Sequence, residues 1–299
     1  MKESLNLSFD SISPSAKSLL LTKALTNIPF ARDAAGLIWG VKAIEDTMKK
    51  LSSIGFLMRL IHFEKRYSSI DKALIEIGIN NILELSSGFS FRGLSMCKDP
   101  SVQYIDTDLP EIIESKKQIV REFTKKLCNY PADNLFLHAL NVLDKNAFTE
   151  TINHFPKGPL AIVNEGLLMY LNEEQKQKVC TIIYDLLRKR GGYWITADIY
   201  IKKETQKIIA NGFYDEKGKR FLTEHQVEEN KFENFEAAKA FFKEFGFDIY
   251  KKIEIPSKQL SSIKFLANLP RNQLDELKNR KKNRETWILK TKDLLKESE

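Results

Sequence analysis

A short apolar run that leads into a turn of small residues constrains the fold of this chain more than any other feature. Residues 81–85 read NILEL and residues 86–90 read SSGFS. A second strand-like run, VQYIDTD, ends at Asp108, 20 residues after Gly88. Small residues let a backbone approach a ligand closely, and an acid on the next strand can accept hydrogen bonds from a ribose. The spacing predicts a nucleoside-binding βαβ unit, and therefore an enzyme that holds an adenosine-containing cofactor.

Strand and helix patterns alternate through the rest of the chain. The apolar run 160–164 is continuous, which is typical of a parallel strand that is covered on both faces. Strands are predicted at 81–85, 103–106, 136–140, 160–164, 193–197, 246–250 and 287–290, and helices at 93–98, 110–127, 173–190 and 237–245. Asn172 is the predicted N-cap of the third of these helices, which Gly191 and Gly192 end. The alternation predicts an α/β fold with a doubly wound, largely parallel sheet.

The first 78 residues have a helical pattern and precede this alternation. Helices are predicted at 15–25, 37–63 and 69–78, the last with Ser68 or Ser69 as N-cap and Gly78 as its end. We expect these helices to form a cap, residues 1–78, that packs over the ligand site of a core at 79–299. The polar stretch 202–234 is predicted to be an insertion or lid (about 200–235). Cap and core together are expected to form one compact unit.

Composition narrows the function classes. The net charge is +7 and the pI is about 9.0, but the basic run 278–284 lacks interleaved aromatic residues, so a solvated helix face is favoured over nucleic-acid binding. Three widely spaced cysteines with no CxxC motif favour a reducing cytoplasm and neither zinc nor a redox dithiol. The four histidines have no metal-ligand spacing, and no apolar run approaches the length of a membrane span. We expect no metal and no membrane, and a monomer or homodimer.

A second informative stretch, residues 162–171, reads IVNEGLLMYL. A buried strand there runs into Glu165 and a glycine before the next helix begins. Ligands of open α/β sheets bind outside the carboxyl ends of the strands, where Glu84, Asp108 and Glu165 are expected to meet. Three acids in one place are costly unless they contact cationic or hydrogen-bond-donating groups. A ribose with two hydroxyls and an ammonium group would meet that need.

Four sequence blocks, in this order, resemble the leucine carboxyl methyltransferase family, which includes the O-methyltransferases of polyketide pathways. The blocks are RYSSID at 66–71, LSSGFSFR at 85–92, DTDLPE at 106–111 with Lys116 following, and EGLLMYL at 165–171. The resemblance extends over about residues 15–255. It implies S-adenosylmethionine as cofactor and a Rossmann-like, doubly wound, mostly parallel α/β fold with an N-terminal helical cap and a lid insertion.

The resemblance also implies roles for individual residues. Asp108 would bind both ribose hydroxyls, Arg66 and Lys23 would pair with the methionine carboxylate, and Glu165 would face the methionine ammonium or the sulfonium. Asn141 and Val142 would lie near the adenine. The predicted cofactor-binding residues are Lys23, Arg66, Glu84, Ser86, Ser87, Gly88, Asp108, Leu109, Asn141, Val142, Glu165 and Gly166. Alternatively, Lys23 and Arg66 are solvated side chains, Glu165 supports a turn, and Tyr170 packs in the core.

The expected reaction is methyl transfer to a carboxylate or hydroxyl oxygen of a small molecule or peptide end. A carboxylate acceptor needs no deprotonation near neutral pH, so no general base is required. A phenol would need a base, for which Tyr170 and His225 are the candidates. Cationic residues of the cap and lid would suit an anionic acceptor, namely Lys17, Lys23, Arg32, Lys202 and Lys203.

Departures from the family pattern leave an alternative open. Ser86 stands in place of the first glycine of the loop, and Ser90 and Asn141 stand in place of aspartates. These changes allow a catalytically weakened cofactor-binding or protein-interaction module of the same fold. An NAD-dependent dehydrogenase is disfavoured by the absence of GxGxxG and by the block at 165–171. An RNA methyltransferase is disfavoured because no Asn-Pro-Pro-Tyr-type or paired-cysteine motif is present.

Overall fold

A seven-stranded sheet forms the centre of the protein. The computed structural model describes residues 14–126, 133–202, 220, 222–272, 274 and 282–292. The strands are β1 Asn81–Leu85, β2 Gln103–Asp108, β3 Leu135–Ala139, β4 Leu160–Asn164, β5 Gly192–Tyr200, β6 Phe247–Ile253 and β7 Arg284–Thr291. Their order is β3-β2-β1-β4-β5-β7-β6, and only β7 runs antiparallel to its neighbours. The predicted doubly wound, mostly parallel fold is confirmed.

Helices alternate with these strands and precede them. They are α1 Pro14–Lys23, α2 Ala31–Met48, α3 Ile54–Ile77, α4 Arg92–Met96, α5 Pro110–Lys126, α6 Lys145–Ile152, α7 Glu173–Arg190 and α8 Phe235–Glu244. The sequence patterns missed α6, which begins at the N-cap Asp144. Among the described residues, none of the helices combines the length and apolar composition that crossing a bilayer requires.

The sheet is covered by helices on both faces. On one face, Leu83, Ile162 and Trp194 pack in one cluster with residues of α6, α7 and α8. On the other face, Ile82 and Ala161 pack with the second half of α3. Because neighbouring residues of one strand enter opposite clusters, both must be apolar, which explains the continuous apolar runs of the central strands. The strand order reverses between β1 and β4, so a ligand crevice is expected at their carboxyl ends.

The helix α3 is continuous where the sequence predicted two helices. The predicted break before Ser69 and the predicted N-cap at Ser68 or Ser69 are wrong, and the chain instead breaks after α2, at the 3-10 turn Lys49–Ser52. Ser69 lies in the interior of α3, where its hydroxyl bonds to the carbonyl of Arg66 at 2.7 Å and to the hydroxyl of Thr286 at 2.6 Å. A tertiary contact therefore satisfies a serine that would otherwise favour a cap. Gly78 ends the helix as predicted.

The N-terminal helices pack against the loop that follows β1. A separate apolar cluster joins α1, α2 and the first half of α3 to Phe89 and Phe91 of that loop and to Phe123 of α5. Phe91 and Phe123 meet edge to face, with ring centroids 5.4 Å apart. The helical cap is thus held directly over the β1 loop. The division of the chain at residue 78 stays a prediction, because α3 contributes to the apolar clusters of both parts.

The predicted lid lies largely outside the described residues, which omit 203–219 and 221. The described part of the stretch, up to Asn234, is attached to the core at two points. Phe232 forms a bridge with Ile201 at the end of β5. The ammonium of Lys176 on α7 donates to the carbonyl of Asn230. The described residues after 221 therefore rejoin the core next to Ile201, where the chain leaves β5.

We expect Asn172→Ala to lower the free energy of unfolding by ~1 kcal/mol. Asn172 and Gln175 form a capping box at the start of α7: the Asn172 side chain accepts from the Gln175 amide at 2.9 Å, and the Gln175 side chain accepts from the Asn172 amide at 3.0 Å. Alanine removes the acceptor for the Gln175 amide, whereas Asn172→Asp retains it. Urea denaturation monitored by circular dichroism measures the difference.

The control is Lys178→Ala, which removes an exposed side chain of the same helix and should change stability by less than about 0.5 kcal/mol. Equal losses for Asn172→Ala and Asn172→Asp would contradict the capping role.

Candidate functional site

The loop after β1 has a backbone shape that leaves room beside it. Ser86 and Gly88 both have left-handed backbone angles, with φ of 49° and 53°. The amide of Ser87 donates to the carbonyl of Thr107 on β2 at 2.9 Å, which ties the loop to the neighbouring strand. A Cβ built on Gly88 would meet no atom within 4 Å. The loop is therefore fixed in position and open on the side of Gly88.

Asp108 closes the opposite side of this loop. One carboxylate oxygen accepts from the amide of Gly88 and the other from the amide of Leu109, both at 2.7 Å. Burial raises the pKa of Asp108, and the two amide hydrogen bonds oppose this effect. The residues that the βαβ spacing predicted to lie together are in direct contact. Each carboxylate oxygen can accept a further hydrogen bond, so the pair of oxygens suits a diol.

Glu165, just after β4, is bound by three cations. One oxygen lies 2.7 Å from the ammonium of Lys23 and 3.2 Å from Nε of Arg66. The other lies 3.0 Å from a terminal nitrogen of Arg92. Burial favours the neutral acid, but the charges of Lys23, Arg66 and Arg92 outweigh it and hold the pKa of Glu165 well below its ordinary value.

Arg92 links Glu165 to two further carboxylates. Its Nε donates to Asp71 on α3 at 2.6 Å, and one terminal nitrogen pairs with Glu84 on β1. Glu84 is fully buried and also accepts from the hydroxyl of Tyr104 at 2.7 Å. Glu84 thus lies beneath the loop and binds protein groups, and its direct contact with a cofactor stays a prediction. The sequence analysis gave Arg92 no role. The two aromatic residues just before it, Phe89 and Phe91, are the local signal that indicates burial at this position.

These six side chains form a network in which the charges balance: Lys23, Arg66 and Arg92 against Asp71, Glu84 and Glu165. Lys23 and Arg66 are 5% and 3% exposed, so the alternative that they are solvated helix residues is wrong. A buried charge is tolerated only when it is paired and hydrogen-bonded. The network connects α1 and α3 of the cap to β1 and β4 of the sheet.

The turn after β4 is held by a residue that the sequence analysis did not identify. Asp198 on β5 accepts from the amides of Gly166, Leu167 and Leu168 at 2.7, 2.6 and 3.2 Å. Three amides that converge on one carboxylate fix the backbone that carries Glu165. Gly166 has φ of 85°, and an added Cβ would lie 3.4 Å from the guanidinium of Arg66. A local sequence pattern could not reveal this contact, because it joins positions 30 or more residues apart.

The residues predicted to lie near an adenine follow β3. The amide of Leu140 donates to the carbonyl of Asp108 at 2.8 Å, which brings this segment to the carboxyl end of β2. The side-chain oxygen of Asn141 accepts from the amide of Leu143 at 3.0 Å, and Val142 is buried. Leu109 is exposed on the same rim. Their position beside an adenine stays a prediction.

The two candidate bases, Tyr170 and His225, meet edge to face with ring centroids 6.2 Å apart. Tyr170 is 38% exposed, so it is not a core residue as the alternative had it. Within the described ranges, no three His, Cys, Asp or Glu side chains are grouped as metal ligands. Of the cationic residues proposed to face an acceptor, Lys17 lies over the ring of Trp39 and Lys202 pairs with Glu233, while Lys203 is outside the described residues.

Comparisons with known proteins bear on the fold. No protein-family model matches this chain, and no curated protein matches its sequence. Among solved structures, it is similar to a DUF574 family protein from Streptomyces avermitilis, with 11% identity, 92% of this chain and 97% of that chain covered, and a TM-score of 0.52. It is also similar to a SAM-dependent methyltransferase from Anabaena variabilis (12% identity; 76% and 84% covered; TM-score 0.48) and to magnesium protoporphyrin IX methyltransferase from Synechocystis with bound SAH (8%; 78% and 85%; 0.46). At these identities the likeness describes the fold, which is Rossmann-like.

We expect Arg92→Met to lower the free energy of unfolding by about 3–5 kcal/mol, because it leaves Glu84 and part of Glu165 buried without a counter-charge. The double variant Arg92→Met/Glu84→Gln should be less unstable than Arg92→Met alone, since it removes one of the stranded carboxylates. Urea denaturation of the wild type, both single variants and the double variant measures the coupling. Additive losses would contradict the direct pairing of these two residues.

Glu165 should make stability depend on pH. Its pKa is lower in the folded protein than the ordinary 4.5, so its contribution is present above pH ~4.5 and is lost as the pH falls below that value, where the unfolded chain takes up a proton first. The stability difference between the wild type and Glu165→Gln should therefore be constant above pH ~5 and shrink below it. Urea denaturation of both proteins between pH ~3.5 and 7 measures this. A difference that does not change across that range would contradict the pairing.

Proposed function

We propose that this protein is an S-adenosylmethionine-dependent methyltransferase that transfers the methyl group to an oxygen of a small molecule or peptide end. The observation that carries the proposal is the constellation at the carboxyl ends of β1, β2 and β4: the open loop at Gly88, the acid Asp108, and the charge-balanced network around Glu165. The three parts lie at the topological switch point of the sheet, where open α/β folds bind ligands.

The balanced network favours a zwitterionic ligand group. An added anion or cation alone would leave one buried charge unpaired, whereas an amino-acid group brings one of each. Lys23 and Arg66 are the cations that would hold the methionine carboxylate, Arg66 by its planar fork of donors. Glu165 is the carboxylate that would hold the ammonium. Both cations already pair with Glu165, so the ligand would exchange partners within an existing set of ion pairs.

The nucleoside end of the cofactor would lie along β2. Asp108 is held by the amides of Gly88 and Leu109, and its oxygens face the loop whose Cβ position at Gly88 is open. A carboxylate in this place accepts hydrogen bonds from both ribose hydroxyls. Asn141 and Val142 follow β3 at the same rim and would flank the adenine; an amide side chain can donate to and accept from its edge.

S-adenosylmethionine supplies an electrophilic methyl group when bound. The protein has to hold the acceptor oxygen in line with that group and exclude water, and such positioning is worth ~7–11 kcal/mol. The cap is well placed to exclude water, because its apolar cluster includes Phe89 and Phe91 of the cofactor loop. A carboxylate acceptor would require no proton transfer from the protein at neutral pH.

The resemblance to the leucine carboxyl methyltransferase family supports O-methylation over other acceptors. All four blocks of that resemblance contribute to the constellation: Arg66 and Asp71, the loop from Ser86 to Arg92, Asp108, and Glu165. Ser86 is the departure that favours the second candidate, a weakened cofactor-binding module. A serine with φ of 49° carries backbone strain of about 1–3 kcal/mol at most, which a glycine would avoid.

We expect calorimetry to detect binding of S-adenosylmethionine and S-adenosylhomocysteine to the wild type at micromolar concentration. Asp108→Asn should weaken both by about 100-fold, because the amide cannot accept from both ribose hydroxyls and its NH₂ group would face one of the two amide donors, either that of Gly88 or that of Leu109. The matched control is Glu111→Gln, an exposed acid three residues along the chain, which should leave binding unchanged.

Absence of binding at millimolar ligand would overturn the proposed function. Binding without turnover on a broad panel of carboxylic acids and alcohols would favour the weakened module. Binding that Asp108→Asn leaves intact would contradict the ribose role of Asp108.

A further inference from the structure

A bulge in β5 turns Tyr200 towards the cap. The pairing of β5 with β7 shifts between Thr196 and Ile199, where β5 has one residue more than β7. Trp194 packs on the α8 side of the sheet, and without the bulge Tyr200 would share that face because both numbers are even. Instead its hydroxyl lies 2.8 Å from Nε2 of His62 and accepts from a terminal nitrogen of Arg66 at 3.2 Å, both on α3. Bulges of this kind re-aim side chains next to functional sites.

Arg284 lies directly opposite Tyr200 in the ladder and on the same face. One terminal nitrogen of its guanidinium donates to the carbonyl of Ala197 at 3.2 Å and to the hydroxyl of Thr286 at 2.8 Å. Within the part of the chain that the structure describes, no carboxylate pairs with Arg284, and its other nitrogens make no hydrogen bond. Burial lowers the pKa of Arg284 and the charge of Arg66 adds to this effect, while Tyr200, Asp198 and Glu165 act in the opposite direction without cancelling it.

Lys65 is a second cation on this face of α3. It lies one turn before Ser69, whose hydroxyl is 2.6 Å from the Thr286 hydroxyl to which Arg284 donates. Lys65 precedes Arg66 on α3 and, among the described residues, makes no ion pair or hydrogen bond. Burial and then the charge of Arg284 lower the pKa of Lys65.

The acid whose charge acts on Lys65 is Glu254, which is paired with Lys282 at 2.6 Å. The acids whose charges act on Arg284 are Asp198 and Glu165, which are bound by the amides of the β4 turn and by the cations of the network.

The two ends of Arg66 therefore face different electrostatic surroundings. On the side of Glu165 every cation of the network has a carboxylate, whereas on the side of Tyr200 two partly buried cations, Lys65 and Arg284, have none among the described residues. Burying unpaired cations near one another is costly, and a bound anion would remove that cost. The free nitrogens of a guanidinium match the two oxygens of a carboxylate.

We propose that Lys65 and Arg284 form a binding site for a carboxylate of the methyl acceptor, with the Tyr200 hydroxyl beside it. The assignment rests on the proposed function, because Arg66 places this site next to the methionine end of the cofactor. It makes the acceptor a carboxylic acid. It also gives the bulge a role, since only the bulged register puts Tyr200 and the cap residues on one face.

Benzoate and benzamide, which have the same size and differ in charge, test the site. Each is titrated by calorimetry into the full-length protein saturated with S-adenosylhomocysteine, so that Lys23 and Arg66 are occupied. Benzoate should bind at least about tenfold more tightly than benzamide, and Arg284→Gln and Lys65→Gln should each reduce that preference by about tenfold. Arg284→Lys, which keeps the charge, should retain part of it.

The matched control is Lys290→Gln, which removes an exposed charge from the same strand and should leave the preference intact. Lys65→Gln removes a side chain with no partner among the described residues, so it tests the site even if Arg284→Gln fails to fold. Equal binding of benzoate and benzamide to the wild type, or a preference that both Gln variants keep, overturns the acceptor site. Failure of S-adenosylhomocysteine to bind overturns the proposed function instead. The titrations of benzoate and benzamide into the protein without S-adenosylhomocysteine then test the anion site separately.

Discussion

Arg92 connects three parts of the chain through buried ion pairs. Its guanidinium holds Asp71 of α3, Glu84 of β1 and Glu165 of the turn after β4. A planar group with five donors is the side chain suited to bridge carboxylates in three directions. Once this contact is formed, the β1 loop, the cap and the β4 turn have fixed relative positions. The rest of the site depends on that geometry.

Charge balance makes the network cooperative. Five of its six members have buried side chains, whereas Asp71 is 37% exposed. Removing one of the five leaves an opposite charge in a medium that solvates it poorly. The same network attaches the helical cap to the sheet, because Lys23 of α1 and Arg66 of α3 both pair with Glu165 at the end of β4. Cofactor binding and cap packing are therefore expected to be linked energetically.

The sequence predicted the elements whose cause is local. The strands follow from apolar runs, the start of α7 from the side-chain acceptor of its N-cap Asn172, and the end of α3 from the left-handed Gly78. All of these causes act within a few residues. The contact between Gly88 and Asp108 was also predictable, because βαβ geometry fixes their separation. The roles of Arg92, Asp198 and Arg284 were not, since their partners lie on other strands and helices. Ser69 misled the helix prediction because its partner Thr286 is 217 residues away.

The bulge in β5 has a consequence for the evolution of this fold. Side chains of a strand alternate between faces, so loss of the single extra residue between Thr196 and Ile199 would turn Tyr200 to the face occupied by Trp194. The sheet would keep its hydrogen bonds, but the phenol would leave His62 and Arg66. A one-residue deletion at this point would thus remove Tyr200 from the proposed acceptor site while the sheet remains in place.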